Sequence, residues 1–166
     1  MLKVGLLSDT HSYIDEQILR LLEGRDEIWH AGDFGSMEVS DKLQQVAPLR
    51  GVYGNIDGAD IRQVHPKVQR FNADGMDVLM THIGGYPGKY HPDVRQDIKK
   101  NPPQLYITGH SHILKVMTDK SLNNLLHINP GAAGKHGFHK IRTMVRFAIN
   151  NGQVQDLEVI ELGKRA

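Results

Sequence analysis

Seven side chains able to donate to divalent cations are spread through the first two thirds of this chain: Asp9, His11, Asp33, Asn55, His82, His110 and His112. Carboxylate, imidazole and amide oxygen suit hard or borderline cations, and seven donors exceed the shell of one ion. Shared between two ions, with one carboxylate bridging, they leave room for a water-derived hydroxide. Two metals about 3.5–4 Å apart clamp both the attacking and the leaving oxygen of a phosphoryl transfer.

Taken singly, each piece has a plainer reading. An Asp-x-His after a strand is more often a capped turn, and a lone His82 would be a satisfied histidine at a strand end. His110-Ser111-His112, read as an extended segment, puts both imidazoles on one side. What joins the pieces is position, since each follows an apolar run that reads as a strand, and in open α/β sheets ligands bind at the carboxyl ends of the strands. Asp9 and Asp33 are separated by about one βα repeat, as are Asp33 and Asn55, so the three loops should lie side by side. The turn in Val52 to Gly58 is expected to leave Asn55 and Asp57 exposed.

The elements that must position these residues begin with Leu2 to Leu7, a short apolar run that reads as a buried strand, followed by a helical pattern over Ile14 to Leu22. Glu27 to His30 and Leu49 to Tyr53 are further strands flanking a helix over Met37 to Ala47, which makes a βαβαβ series and predicts a parallel sheet. Val68 to Phe71 and Asp77 to Thr81 form a hairpin across Asp74-Gly75. A helix over Asp93 to Lys100 ends at Asn101-Pro102-Pro103, before a strand at Leu105 to Thr108. The remainder, Ile113 to Thr118, Asn124 to Ile128, Thr143 to Ile149 and Val154 to Ile160, predicts mostly antiparallel strands. Residues 1–166 show no linker or repeat, so a single domain is expected, with two sheets face to face and helices outside.

Composition narrows the function. There is no Cys, hence no disulfide, thiolate nucleophile or Cys-based zinc site. A formal net charge of +1 leaves no extended surface for nucleic acid. No apolar run is long enough to span a membrane and no secretory leader is visible, so a cytoplasmic protein is expected, with homo-oligomerisation left open. Asp33-Phe34-Gly35 spells a kinase motif, but no glycine-rich nucleotide loop or HRD accompanies it, and no GxxxxGK[ST], HExxH or GxSxG occurs. His136 and His139 fall in a Gly-rich segment expected near the site, and His30 is expected to support Asp33 or a neighbour. His65, His91 and His127 carry no functional case. Tyr86, Lys89, Tyr90 and Lys135 are candidates to line a substrate pocket.

Together, Asp9-Thr10-His11, Gly32-Asp33, Gly54-Asn55-Ile56-Asp57, Thr81-His82 and Gly109-His110-Ser111-His112 resemble, in order, the motifs of the calcineurin-like metallophosphoesterase superfamily. Ile128-Asn129-Pro130-Gly131 resembles a further signature of its small prokaryotic phosphodiesterase branch. The resemblance implies an α/β (α+β) fold, a four-layer α-β-β-α sandwich of two mixed β-sheets flanked by helices. It implies that Asp9, His11 and His112 hold one metal, that Asp33 bridges, and that Asn55, His82 and His110 hold the other. Asp33, Asn55, His82 and His110 are thereby the residues assigned to catalysis. The cofactors implied are two divalent ions, manganese first, with nickel, iron or zinc as alternatives. The substrate would be a small phosphodiester, hydrolysed in line by a hydroxide bridging the metals. One position departs from the pattern: the phosphatases of the superfamily have His where this chain has Ile56, and Ile can neither bind a phosphoryl group nor protonate a leaving oxygen. The alternative is a non-catalytic protein-interaction scaffold with a structural metal site, as in the retromer scaffold subunit, whose metal-site pattern is eroded where this chain keeps all seven donors.

Overall fold

The structure is a computed structural model that describes residues 1–166. In chain order the elements are β1 (Leu2–Leu7), α1 (Glu16–Leu22), β2 (Glu27–His30), α2 (Met37–Val46), β3 (Leu49–Gly51), α3 (Ala59–Val64), β4 (Val68–Ala73) and β5 (Met76–Thr81). They continue with β6 (Gly85–Tyr86), β7 (Lys89–Tyr90), α4 (Pro92–Lys100), β8 (Leu105–Ile107), β9 (Lys115–Asp119), β10 (Leu125–Asn129), β11 (Ile141–Asn150) and β12 (Gln153–Lys164). One sheet has the order β12-β11-β1-β2-β3 and the second β4-β5-β8-β10-β9. As expected, β1, β2 and β3 are parallel. The second half is less antiparallel than its strand pattern predicts, because β5, β8 and β10 also run parallel. Strand periodicity shows which face is buried; it does not name the neighbour.

The layers follow from which residues face inward. Val4, Leu6, Trp29, Val78, Met80, Ile107, Ile128, Val145 and Phe147 meet between the sheets. Trp29 anchors this layer, with Phe71 and Phe147 edge-on at 5.1 and 5.7 Å between ring centroids, and its indole N–H donates to Glu27 at 2.8 Å. On the outer face of the first sheet, Ile18 and Leu22 of α1, Val39 and Leu43 of α2 and Ile61 of α3 pack with Leu7, Ile28 and Met144. Ile98 of α4 covers Leu79, Tyr106 and Leu125 of the second sheet. The result is the four-layer α-β-β-α sandwich. No helix is long and apolar enough to cross a membrane.

Local signals set the helix ends. Asp15 accepts from the Ile18 backbone N–H at 2.9 Å and starts α1. Pro92 opens α4, and Lys99 and Lys100 stand in its last turn, where cations meet the helix dipole favourably. At the end of the sandwich away from the strands' carboxyl termini, the β4–β5 turn of one sheet is fastened to the β11–β12 turn of the other. The Gly152 N–H donates to the Asp74 carbonyl at 2.9 Å, and the Asn151 N–H to the Asp74 carboxylate at 3.3 Å.

His127 on β10 is buried, 2.9 Å from the Thr108 hydroxyl. Burial, with Lys115 adding to it, lowers its pKa from 6.5 to about 4. The unfolded chain therefore takes up this proton at a higher pH than the folded chain, and stability falls as pH drops from 6.5 toward 4, by roughly 2 kcal/mol from this residue between pH 7.5 and 5. His127→Gln should therefore show a smaller drop in Tm over that interval than the parent protein. An unchanged drop would show that His127 is not the source.

Candidate metal centre

All the predicted ligand loops leave the carboxyl ends of their strands at one pole of the sandwich. Asp9 and His11 follow β1, Asp33 follows β2, Asn55 follows β3, His82 follows β5, and His110 and His112 follow β8. The chain bends hard there. Asp9, His11, Asp33, His110 and His112 have φ of 54°, 45°, 59°, 73° and 62°, a left-handed region that costs about 1–3 kcal/mol per residue outside glycine and recurs at functional sites. Backbone bonds between loops hold it: Asp9 N–H donates to Gly32 at 3.0 Å, His11 N–H to Asp33 at 3.1 Å and Gly134 N–H to Asp9 at 3.1 Å. Two glycines are needed for this packing, since a Cβ at Gly54 would collide with the Asp33 carboxylate and one at Gly109 with the Ser8 hydroxyl.

Two groups of donors result. Asp9, His11 and His112 form one, and Asp33, His82 and His110 the other, with the ligand atoms of each group within 4.8 Å of one another. Asp33 Oδ2 lies 3.4 Å from His11 Nε2 and 3.2 Å from His82 Nε2, between the groups. Asp9 Oδ1 lies 3.3 Å from His112 Nε2 and 3.8 Å from His82 Nε2. Asn55 is exposed at the rim, with its amide oxygen 3.0 Å from His110 Nδ1.

The supporting contacts aim these atoms. Asp9 Oδ2 accepts from Ser8 Oγ at 2.8 Å and from the His110 N–H at 3.1 Å, which turns Oδ1 toward the imidazoles. Asp33 Oδ1 accepts from the Ile56 N–H at 3.1 Å. His82 Nδ1–H donates to the Ala31 carbonyl at 2.7 Å, so Nε2 is the basic nitrogen. His139 Nε2–H donates to the Gly134 carbonyl at 2.8 Å, and its Nδ1 faces His112 Nδ1 at 3.3 Å, so His112 presents a basic Nε2. Asp9 Oδ1, His11 Nε2 and His82 Nε2 are buried and, despite these short approaches, in hydrogen-bonding geometry with nothing. Buried polar atoms without partners are rare. Imidazole nitrogens and carboxylate oxygens converging in this way fit divalent cations.

Charge at the site follows from the same contacts. Burial by itself would raise the Asp33 pKa, but His11 and His82 beside it hold the carboxyl far below the usual range. Burial works against a charged His82, yet Asp33 and Asp9 outweigh it and raise its pKa. Burial and the neighbouring His82 lower His110.

Several expectations are corrected. His110-Ser111-His112 is not an extended segment with both rings on one side; it is a left-handed bend that sends the two rings into different donor groups. Asp57 is not exposed. It is buried, its carboxylate accepting from the N–H groups of Phe34, Gly35 and Gly54 at 3.2, 2.9 and 2.8 Å. Tyr90 is turned inward, donating to Asp119 at 2.7 Å, and Lys89 lies beside Arg95 in a different hollow. Tyr86 lines a cavity with His110, and His136 and His139 line the cleft over His11 and Asp33, with the His136 ring stacked on His11 at 4.8 Å. Lys135 sits over the Tyr13 ring. His30 bridges loops, its Nε2 3.0 Å from Thr10 Oγ1 and its Nδ1 accepting from the Gly32 N–H. Sequence reading gave no role to Ser8 and named Asn129 only as part of a signature. Asn129 donates to Gly109 and Ser111 at 3.0 and 3.1 Å, which is what the Asn of Ile128-Asn129-Pro130-Gly131 does for the site.

A four-layer sandwich with two His/Asp clusters at the carboxyl ends of its strands is consistent with a dinuclear metal site of the kind typical of calcineurin-like phosphoesterases. Residues 2–152 match the Calcineurin-like phosphoesterase superfamily domain, and the chain belongs to that family. It is 30% identical over 166 residues to a protein of Mycoplasma pneumoniae named "Probable metallophosphoesterase", covering 95% of this chain and 96% of that one. A protein of the same name from Methanothermobacter thermautotrophicus is 26% identical, covering 96% and 92%. By fold the chain is similar to a "Novel Archaeal Phosphodiesterase", with TM-score 0.78, 22% identity and coverage of 97% and 100%. It is also similar to wild-type Vps29 "complexed with Zn+2" from Entamoeba histolytica, with TM-score 0.73, 17% identity and coverage of 96% and 99%.

Asp33 Oδ2 reaches toward both groups, so Asp33→Asn should weaken metal binding at two sites. His139→Ala should weaken it at one, by about 10–100-fold, through loss of the contact that orients His112. Calorimetric titration with Mn²⁺ distinguishes these. Two sites of unchanged affinity in Asp33→Asn would rule out a shared role.

Proposed function

We propose that the chain is a dinuclear divalent-metal-dependent phosphodiesterase, one domain over residues 1–166, acting in the cytoplasm on a small phosphodiester. The observation that carries this reading is the convergence of Asp9 Oδ1, His11 Nε2 and His82 Nε2, three buried donor atoms that no protein group satisfies. Leaving such atoms unpaired costs about 1–3 kcal/mol each, and a cation offsets that cost. In this reading Asp9, His11 and His112 hold one ion, Asn55, His82 and His110 the other, and Asp33 serves both. Manganese is the first choice, with nickel, iron or zinc compatible with the same donors. Bound divalent cations make water nucleophilic near neutral pH and offset charge on the phosphoryl oxygens.

The protein's own part is positioning. The Ile56 N–H fixes the Asp33 carboxylate, while the Ala31 carbonyl and His139 fix the tautomers of His82 and His112. Asn55 stands at the rim, where a phosphoryl group approaching the centre meets its amide. The two relatives named as metallophosphoesterases and the archaeal phosphodiesterase of like fold support the reading. Hydrolysis of bis(p-nitrophenyl) phosphate with and without Mn²⁺ separates this reading from the scaffold alternative: turnover that depends on metal supports the enzyme.

Ile56 is 46% exposed on the cleft wall beside Asn55 and His110. It offers no proton to a departing oxygen. A general acid contributes about 10²–10⁴-fold, so the rate should depend steeply on leaving-group pKa, with nitrophenyl esters far ahead of alkyl esters and diesters ahead of monoesters. Ile56→His should flatten that dependence and raise monoester turnover relative to diester turnover. A leaving-group series on both proteins is the measurement. A shallow slope shared by the two would mean that another group already supplies the proton.

A further inference from the structure

A second cavity, of about 380 Å³, opens beside the donor groups and is lined by His82 of one group and by Asn55 at their rim. Its other walls include Tyr53, Arg62, Lys67 and Thr81. Arg62 comes from α3, the short helix that follows the Asn55 loop, and it is held from two sides. Its Nε donates to the Asp57 carbonyl at 2.7 Å, and its guanidinium lies 4.4 Å from the centre of the Tyr53 ring. Arg62 is exposed, and the contact with the ring and one backbone bond restrain its guanidinium. Neither terminal nitrogen makes an ion pair or a hydrogen bond with the protein, so both face the cavity side of the helix without a protein partner. Lys67 also has no ionic partner. The one carboxylate on the cavity wall, Asp93, is 70% exposed and lies 3.7 Å from His91 Nδ1.

A preorganised fork of unpaired N–H donors next to a second free cation is the chemistry that recognises a phosphate. The carbonyl that holds Arg62 belongs to Asp57, whose carboxylate ties the same loop to Phe34 and Gly35 beside Asp33. Arg62 is thus fixed relative to the donor groups. We propose that this cavity is a subsite for a second phosphate on the substrate, so that the phosphodiester taken by the enzyme carries a further phosphate on one ester arm. The inference rests on the phosphodiesterase reading above and narrows its substrate class.

Calorimetry on the Mn²⁺-loaded protein tests it, with thymidine 3′,5′-bisphosphate and thymidine 5′-monophosphate as probes. The parent protein should bind the bisphosphate roughly tenfold more tightly or better, the worth of one charge-assisted contact. Arg62→Ala should reduce that ratio to under about threefold, Arg62→Lys should keep part of it, and Lys67→Ala, at an exposed position with no partner to lose, should lower it independently. Equal affinity of the parent for the two probes, or an unchanged ratio in both alanine variants, overturns the subsite. Binding needs no turnover, so a parent protein that fails to hydrolyse bis(p-nitrophenyl) phosphate yet prefers the bisphosphate would overturn the hydrolytic reading alone.

Discussion

Two carboxylates, Asp9 and Asp33, are held almost completely buried at one pole of the sandwich, and nearly everything around them serves to aim one oxygen of each. The other oxygen of each is occupied by backbone N–H groups from far along the chain, Ile56 for Asp33 and His110 for Asp9. The first joins neighbouring loops of one sheet and the second crosses to the other sheet, so together they need β1, β2, β3 and β8 to end at the same height. Sheet register, left-handed loop residues and close-approach glycines are therefore parts of one requirement. The cost of the left-handed residues is met by loop-to-loop backbone bonds that no single loop could form alone.

The likeness in fold extends to proteins with different printed functions, an archaeal phosphodiesterase and the Vps29 proteins, at identities that speak to fold alone. Function has to be argued from the site. Here that means buried nitrogens with defined tautomers, a carboxylate oxygen placed between two donor groups, and an unpaired guanidinium a short way along the same surface.

Much of this was legible in the sequence. The expected spans of β1 and β2 match the observed strands to the residue, and the loops carrying Asp9, Asp33, Asn55, His82 and His110 fall where expected, because apolar runs that end in polar residues mark strand ends. What was not legible depends on tertiary bonds. Asp57 looks like a solvated turn residue until Phe34 and Gly35, over twenty positions away, supply its partners. His110-Ser111-His112 alternates like a strand, but the Asp9 carboxylate accepting from the His110 N–H draws the segment out of extension. Helix α3 has six residues and no side-chain cap, too little pattern to stand out, and Arg62 went unnoticed with it. The parallel pairing of β5, β8 and β10 depends on which strand lies alongside, a choice that local periodicity does not encode.

The fastening of the Asp74 turn to the Asn151-Gly152 turn lies at the pole remote from the chemistry, yet it bears on the spacing of the donors. Asp9 and Asp33 hang from the first sheet and His82 and His110 from the second. Any sliding of one sheet over the other would change the span between them. With the sheets joined by these turns at one end and by the His82–Ala31 bond at the other, shear is blocked at both ends. The scaffold then acts as a gauge: the span between the two donor groups is set by the sandwich as a whole and not by any one loop.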